Sequence, residues 1–331
     1  MGGRQIIRGV EWWVHVYSFV LLVGVIVVLS SSSWFGAWVG MEMSFIGFIC
    51  HVSVIHGENF WDGLMSFVLN QAVASMLLLF SFTAGSMLGV VWKWVAVSAL
   101  LWKMGMPPFH WWYPKVIGNL GWCSIWLLST LMKMGPLVLV GIVAESSSSF
   151  ISVMVCVGYV FSGVVGISQN TVRGVLAYSS MGNCCWLVMA CSFSSTLFWV
   201  FFVVYSLSMG VILFLCAKDS VSAVSGSSMM SRWVGILLSI VVLSLAGIPP
   251  FIGFGPKVMV ALSAISESNW AVVVMLVGSV IHAYYYLSFV VSGLASKVLS
   301  VGFSQVSMGV VVFGVIAHVL GACLVAYVSV I

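Results

Sequence analysis

Four ionisable side chains lie within long apolar segments, where a charge is rare: Glu42, Lys103, Lys133 and Lys257. A charge near the centre of a membrane span costs about 2.5–3.5 kcal/mol on insertion scales, against about 0.3–0.6 kcal/mol gained per Leu, Ile, Val or Phe. Such residues usually face the interior of a helix bundle or a hydrated path. Because carboxylates and amines bind protons according to their surroundings, we predict that these four residues transfer protons. A structural ion pair, for instance Glu42 with Lys103, is the alternative.

Two histidines are accessory candidates for the same hydrated path. His110 lies beside a proline pair, and His282 lies in the middle of a predicted span. An imidazole can exchange protons near neutral pH, but a hydrogen-bonded core histidine is the alternative interpretation for both residues. Lys93 lies near the end of a span, from which its ammonium can reach the membrane surface.

Six of the seven prolines belong to two copies of one pattern. Residues 105–115 read GMPPFHWWYPK, and residues 247–257 read GIPPFIGFGPK. Proline removes a backbone donor and interrupts a helix. Two helices are therefore predicted to break at Pro107 and Pro108, after Lys103, and at Pro249 and Pro250, before Lys257. Broken helices at corresponding positions of two halves indicate an ion path, although two ordinary proline-bent loops remain the alternative.

The overall composition is that of a membrane protein. Of 331 residues, 62% are hydrophobic and 5% are charged, whereas a soluble domain has about 25% charged residues. This balance excludes a soluble enzyme, a disordered chain, a nucleic-acid binder and a secreted disulfide scaffold. The eight cysteines show no metal-ligand spacing, and the chain has no glycine motif for a dinucleotide. We therefore predict no metal or cofactor on this chain.

Apolar runs of membrane-spanning length predict an all-α, polytopic fold with about eleven transmembrane helices in a single membrane domain, 1–331. The predicted spans are 13–30, 34–55, 64–82, 88–107, 119–144, 149–167, 174–193, 196–216, 233–266 with a break, 270–292 and 307–329. The first half is 13–144, with its broken helix near 105–115; the second is 149–292, with its broken helix near 247–257; a C-terminal helix, 307–329, follows. The two proline patterns follow an even and an odd span, which predicts two inverted repeats.

The predicted loops carry their positive charges on one side of the membrane. The basic residues on the N-terminal side are Arg4, Arg8, Lys115, Arg173, Lys218, Arg232 and Lys297. The opposite side has Glu145 and Glu267. The positive-inside rule therefore places the N-terminus in the cytosol or the mitochondrial matrix.

Five segments, in this order, resemble one known family. They read WVGMEM from Trp38, QAVASM from Gln71, KMGMPPFHW from Lys103, QNTVR from Gln169 followed by AYSS from Ala177, and LAGIPPFIGFGPK from Leu245. The chain resembles the subunit 2 family of mitochondrial NADH:ubiquinone oxidoreductase (respiratory complex I), an antiporter-like family of proton-pumping subunits. The resemblance covers essentially the whole chain.

The resemblance implies a role for each deep charge. Glu42 is the glutamate of the proton input module, and Lys103 is the lysine beside the first broken helix. Lys133 is the central connecting lysine, and Lys257 is the lysine of the second broken helix, near the exit. Lys115 stands where the family often has an acidic residue, so it carries no implied role.

The resemblance also implies an environment. The chain would be a multi-pass protein of the mitochondrial inner membrane with its N-terminus in the matrix. It would bind no cofactor itself; NADH, flavin, iron–sulfur clusters and ubiquinone would be bound elsewhere in the complex. Its partners would be other membrane-arm subunits, including neighbouring antiporter-like subunits, and membrane lipids such as cardiolipin, with no nucleic acid.

The predicted function is proton translocation through a central axis of buried Glu and Lys, coupled to quinone reduction elsewhere in the complex. A subunit of a multi-subunit sodium/proton antiporter is the first alternative, which copurifying flavin and iron–sulfur proteins would argue against. A non-pumping structural spacer of the membrane arm is the second. Removing the deep charges of a spacer would impair assembly rather than pumping.

Overall fold

The computed structural model describes residues 2–56, 61–85, 89, 91–144, 148–219, 232–249, 251–265 and 269–298. The elements in these ranges are α-helices. They are α1 (Gly2–Ser30), α2 (Trp34–His56), α3 (Trp61–Thr83), α4 (Val91–Met104), α5 (Trp112–Asn119), α6 (Trp122–Ser129), α7 (Leu131–Ala144), α8 (Ser148–Ile167), α9 (Val172–Phe193), α10 (Ser195–Asp219), α11 (Arg232–Ala246), α12 (Phe254–Ile265) and α13 (Asn269–Val298).

The predicted all-α membrane architecture is confirmed. Within the described ranges, 8 helical segments are long and apolar enough to cross a membrane. Two shorter apolar segments, Gly235–Ala246 in α11 and Phe254–Ile265 (α12), lie before and after Pro249. The count of about eleven spans stays a prediction, and the predicted C-terminal helix 307–329 lies outside the described residues. The predicted span 88–107 is shorter than expected, because α4 ends at Met104, before the glycine and the prolines.

The chain divides into two compact units, one within Met1–Ser148 and one within Ser149–Ile331. In the first unit, α1 packs along α2, and the two backbones approach closely at small residues. A Cβ atom at Gly47 would lie 2.7 Å from the backbone nitrogen of Leu21, and one at Gly40 would lie 2.8 Å from that of Val28. This close packing fixes the part of α2 that carries Glu42.

Helix α4 lies between two other helices of the first unit. Helices α3 and α7 pack against α4, and α5 packs against α3. The predicted span 119–144 is two helices, α6 and α7, separated at Thr130. The sequence carries one signal of this interruption, Pro136, which cannot donate to the carbonyl of Met132. Lys133 therefore lies in the first turn of α7 rather than within a continuous helix.

Helix α9 is the buried element of the second unit. It begins after Thr171, whose hydroxyl accepts a hydrogen bond from the backbone N–H of Gly174 at 3.1 Å, an N-cap that replaces a missing helical partner. Helices α10 and α12 pack on α9, and α13 packs on α11 and α12. Lys257 on α12 and His282 on α13 are consequently inside this unit.

Candidate proton-transfer site

Glu42 and Lys103 form an ion pair in the first unit. The Nζ atom of Lys103 lies 2.7 Å from Oε1 of Glu42, with 4% of the lysine side chain and 22% of the glutamate side chain exposed. The structure therefore brings together two residues that are 61 positions apart in the chain. Because burial removes nearly all water from the Lys103 ammonium, removing Glu42 would leave that ammonium in an unfavourable environment.

The end of α4 places Lys103 at this position. Gly105 has φ of 71°, which suits a residue without Cβ, and its N–H donates to the carbonyl of Trp102 at 3.0 Å. The N–H of Met106 donates to the carbonyl of Leu101 at 3.1 Å. These two bonds form a Schellman motif, the common C-terminal cap of a helix. Lys103 thus lies in the last turn of α4, where the helix dipole favours a cation.

The second proline pattern repeats this geometry. Gly247 has φ of 76°, and its N–H donates to the carbonyl of Ser244 at 3.0 Å. The N–H of Ile248 donates to the carbonyl of Leu243 at 3.4 Å. The two helix ends therefore have the same cap, and the repeat that the sequence suggests is present in the backbone. The inverted orientation of the two halves stays a prediction.

A glutamine that the sequence analysis did not single out as a site residue contacts the first break. The side-chain Nε2 of Gln71, on α3, donates to the backbone carbonyl of Lys103 at 2.9 Å. Gln71 is buried. Its signals in the sequence are a polar amide within an apolar span and its place at the start of the QAVASM segment. The bond itself joins residues 32 positions apart, so the sequence does not reveal it.

Lys133 lies across a small cavity from the ion pair. Its side chain is buried, and its Nζ lies 4.4 Å from the ring centroid of Tyr113, a cation–π contact. The cavity has a volume of about 20 Å³, and Lys103, Lys133, Gln71, Ser44 and Tyr113 are among its lining residues. A polar cavity of roughly 10–15 Å³ can hold one water molecule. The two lysines therefore share a space in which one water could join them.

Lys257 lies against the second break. Its Nζ donates to the backbone carbonyls of Leu245 at 3.1 Å and Ala246 at 2.9 Å. The side chain also covers the glycine of the cap, since a Cβ atom at Gly247 would lie 2.7 Å from Cδ of Lys257. The residue at the corresponding position of the first pattern, Lys115, is exposed on α5. Corresponding lysines of the two patterns therefore occupy different environments.

A second, smaller cavity adjoins Lys257. Its volume is about 10 Å³, at the lower limit for one water molecule, and Asn183, Tyr205, Ser208 and Ser244 contribute polar groups to its lining. The Oγ atom of Ser244 is buried and has no hydrogen-bond partner among the described residues. A water in this cavity would supply that partner and would lie beside the Lys257 ammonium.

His282 is packed as a core residue of the second unit. Its ring stacks on Tyr159 with the centroids 4.2 Å apart and the planes at 7°. Its Nδ1 lies 3.0 Å from the carbonyl of Gly278, and its Nε2 lies 3.3 Å from the hydroxyl of Ser162. Both ring nitrogens thus have partners that suit a neutral imidazole. This arrangement favours the structural interpretation of His282 over an accessory proton role.

The first break also contains His110 and the first proline pair. The Nδ1 atom of His110 lies 3.3 Å from the carbonyl of Pro108, and its ring stacks on Trp111. Pro107 is buried, whereas Pro108 and Pro249 are exposed. Pro250 lies outside the described residues.

Comparison with known proteins agrees with the architecture. A sequence model of the family described as "NADH:quinone oxidoreductase/Mrp antiporter, TM" matches residues 31–282. A chain named NADH-ubiquinone oxidoreductase chain 2 from Mytilus edulis is 32% identical over 272 residues, covering 82% of this chain and 83% of its own length. The protein of the same name from Lumbricus terrestris is 29% identical over 287 residues, which cover 83% of this chain and 84% of its own length.

Solved structures show the same fold at lower identity. A chain of respiratory complex I from Thermus thermophilus superimposes with a TM-score of 0.82 and 19% identity, covering 94% of this chain and 77% of its own. A chain of the Mrp complex from Dietzia sp. DQ12-45-1b gives a TM-score of 0.73 and 15% identity, and the match covers 88% of this chain and 61% of that chain. The chain therefore belongs to the NADH:quinone oxidoreductase/Mrp antiporter membrane family and, within it, to the NADH-ubiquinone oxidoreductase chain 2 group.

Proposed function

We propose that this chain is a proton-translocating membrane subunit of a respiratory NADH:ubiquinone oxidoreductase in the mitochondrial inner membrane. The carrying observation is the Glu42–Lys103 ion pair beside a water-sized cavity that Lys133 shares. The relatives named NADH-ubiquinone oxidoreductase chain 2 support the enzyme, and the family match supports the transport class. NADH, flavin, iron–sulfur clusters and ubiquinone would be bound by other subunits.

The ion pair supplies a physical means of moving a proton. A nearby carboxylate stabilises the Lys103 ammonium, and loss of that carboxylate removes the stabilisation. Quinone reduction elsewhere in the complex would alter the field at Glu42 and weaken the pair. Once Lys133 has released its own proton onward, it would accept the Lys103 proton through a water in the cavity. In the second unit Lys257, beside its own small cavity, would perform the later step.

The proposal also covers the partners of this chain and its orientation in the membrane. The partners would be other membrane-arm subunits, including antiporter-like neighbours, and membrane lipids such as cardiolipin. The N-terminus would lie in the matrix, as the distribution of basic residues in the predicted loops indicates.

The test compares two lysines in the assembled enzyme. Replacing buried Lys133 with Met should lower the number of protons moved per NADH oxidised, because the cavity loses an acceptor. Replacing exposed Lys115 with Met should leave that ratio unchanged. An unchanged ratio in the Lys133→Met enzyme would contradict the proposed path.

The same preparation tests the alternatives. Copurification of flavin and iron–sulfur proteins supports the respiratory enzyme, whereas their absence together with sodium/proton exchange would support an antiporter. A Lys133→Met enzyme that assembles poorly, but pumps normally per molecule assembled, would support a structural spacer.

A further inference from the structure

The two helix breaks leave the same backbone groups without helical partners. In an α-helix the carbonyl of one residue accepts from the N–H four residues later. For the carbonyls of Lys103 and Met104 that residue is a proline, and the same is true for Leu245 and Ala246. Proline has no N–H, so these four carbonyls lose their donors. Within a membrane an unpaired carbonyl is costly, and another group must donate to it.

The Schellman caps leave this problem in place. The cap of α4 uses the N–H groups of Gly105 and Met106, and both donate to carbonyls before Lys103. The cap of α11 does the same with Gly247 and Ile248. The carbonyls of the last helical residues therefore depend on side chains from elsewhere in each unit.

Different side chains donate at the two breaks. At the first break, the amide of Gln71 donates to the carbonyl of Lys103 at 2.9 Å. At the second, the ammonium of Lys257 donates to the carbonyls of Leu245 and Ala246 at 3.1 Å and 2.9 Å. An amide does not change its protonation state, whereas an ammonium does.

The number of hydrogens on each group indicates a division of roles. The ammonium of Lys103 bonds Glu42 and adjoins the cavity, and Gln71 caps its backbone carbonyl. The ammonium of Lys257 has three N–H groups, of which two bond the carbonyls. Loss of the third proton would leave a neutral amine that still has two donors for those two carbonyls.

We propose that Gln71 is a positioning residue that caps the first break, and that Lys257 caps the second break while it transfers its third proton. The part concerning proton transfer rests on the proposed function; the capping does not. Lys103 is thereby able to move between Glu42 and the cavity, whereas Lys257 stays in place throughout. The carbonyls of Lys103, Leu245 and Ala246 thus keep their donors in every protonation state.

Hydrogen exchange on the assembled enzyme tests the caps. The amides of Gly247, Ile248 and Phe251 form the hydrogen bonds of the second break, and the amides of Gly105, Met106 and Phe109 form the equivalent bonds of the first. Lys257→Met removes the donor but keeps most of the side chain. Exchange should become roughly tenfold faster or more at the second break, because unpaired buried carbonyls favour opening, and should not change at the first. Unchanged exchange at the second break would overturn its cap.

Gln71→Met makes the reciprocal test at the first break. It should accelerate exchange at Gly105, Met106 and Phe109 and leave the second break unchanged. Ser75→Ala, one turn further along α3, is the matched control, because the Ser75 hydroxyl bonds the carbonyl of Ala72 in its own helix. Equal exchange rates in the Gln71→Met and Ser75→Ala enzymes would overturn the first cap. This comparison remains decisive if the Lys257→Met enzyme does not assemble.

Lys257→Arg separates the cap from the proposed proton transfer. Arginine keeps donors for the carbonyls but does not release its proton. The expected enzyme has wild-type exchange at the second break and a reduced proton-to-NADH ratio. A normal ratio with normal exchange would refute proton transfer by Lys257 and leave the cap standing; fast exchange would refute the cap and leave the transfer standing.

The positioning role of Gln71 has its own functional test. If the amide acts through Lys103, then Gln71→Met should lower proton transfer, and adding it to Lys103→Met should lower transfer no further. Additive losses in the double variant would show that Gln71 acts independently of Lys103.

Discussion

The Nζ atom of Lys133 lies 4.4 Å from the ring centroid of Tyr113, so the first turn of α7 meets the residue that covers the first helix break. Tyr113 also packs on the glycine of that break, since a Cβ atom at Gly105 would lie 2.8 Å from its Cβ. One aromatic side chain thus contacts both the central lysine and the end of α4. A movement of Lys133 would therefore displace Tyr113 and affect the end of α4, and a movement of the end of α4 would affect Lys133 in the same way.

Tyr113→Leu should weaken proton transfer, because Lys133 loses an aromatic face worth about 0.5–2 kcal/mol. The measurement is the proton-to-NADH ratio together with the rate of NADH oxidation. Tyr113→Phe is the control, because it keeps the ring and removes the hydroxyl. Similar losses in both variants would show that the hydroxyl, rather than the ring, supports Lys133.

Glu42→Leu and Lys103→Met should each lower the amount of assembled enzyme, since each leaves a charge of the pair without its partner. Removing one member of a buried ion pair typically costs about 3–5 kcal/mol of stability. Because Glu42 is partly exposed, we expect the cost for this pair to be at or below the lower end of that range. The double variant should recover assembly, because an apolar pair can replace a buried ion pair with little loss.

The recovered double variant should oxidise NADH without moving this subunit's share of protons. Assembly is measured by the yield of intact complex and pumping by the proton-to-NADH ratio. Full pumping in the double variant would favour the structural-spacer interpretation of the ion pair.

Gly182→Ala should destabilise the second unit. The added Cβ atom would overlap Nε2 of His282, whose ring is fixed between Tyr159 and Ser162. Overpacking of this kind costs about 1–3 kcal/mol. Gly118→Ala is the control, because nothing lies within 4 Å of its new Cβ atom. The midpoint of thermal inactivation should fall only in the first variant.

The fold class could be predicted from the sequence because hydrocarbon imposes a simple rule. Only helices satisfy their own backbone groups, so long apolar runs specify them almost by length alone. The two breaks could be predicted for a similar reason, since proline lacks the N–H that a helix needs. The sequence does not predict the interruption at Thr130, because Pro136, its one signal, lies inside an otherwise uniform apolar run.

The deep charges could be located from the sequence, but their partners could not. Glu42 was considered as a partner of Lys103, and the structure places them 2.7 Å apart. Gln71 and Tyr113 were not chosen as site residues, because an amide and a phenol are common in helices and show their roles only when distant segments meet. The proton path that joins these groups stays a prediction.

The Schellman turns at the two breaks are made from backbone hydrogen bonds, so they do not depend on which side chains surround them. A repeated pattern can keep such a turn while the side chains around it differ, as the exposed Lys115 and the buried Lys257 do. The glycine fixes the shape of the bend, and each copy then recruits whichever donor its neighbourhood offers. The same backbone bend can in this way support an amide donor in one unit and an ammonium donor in the other.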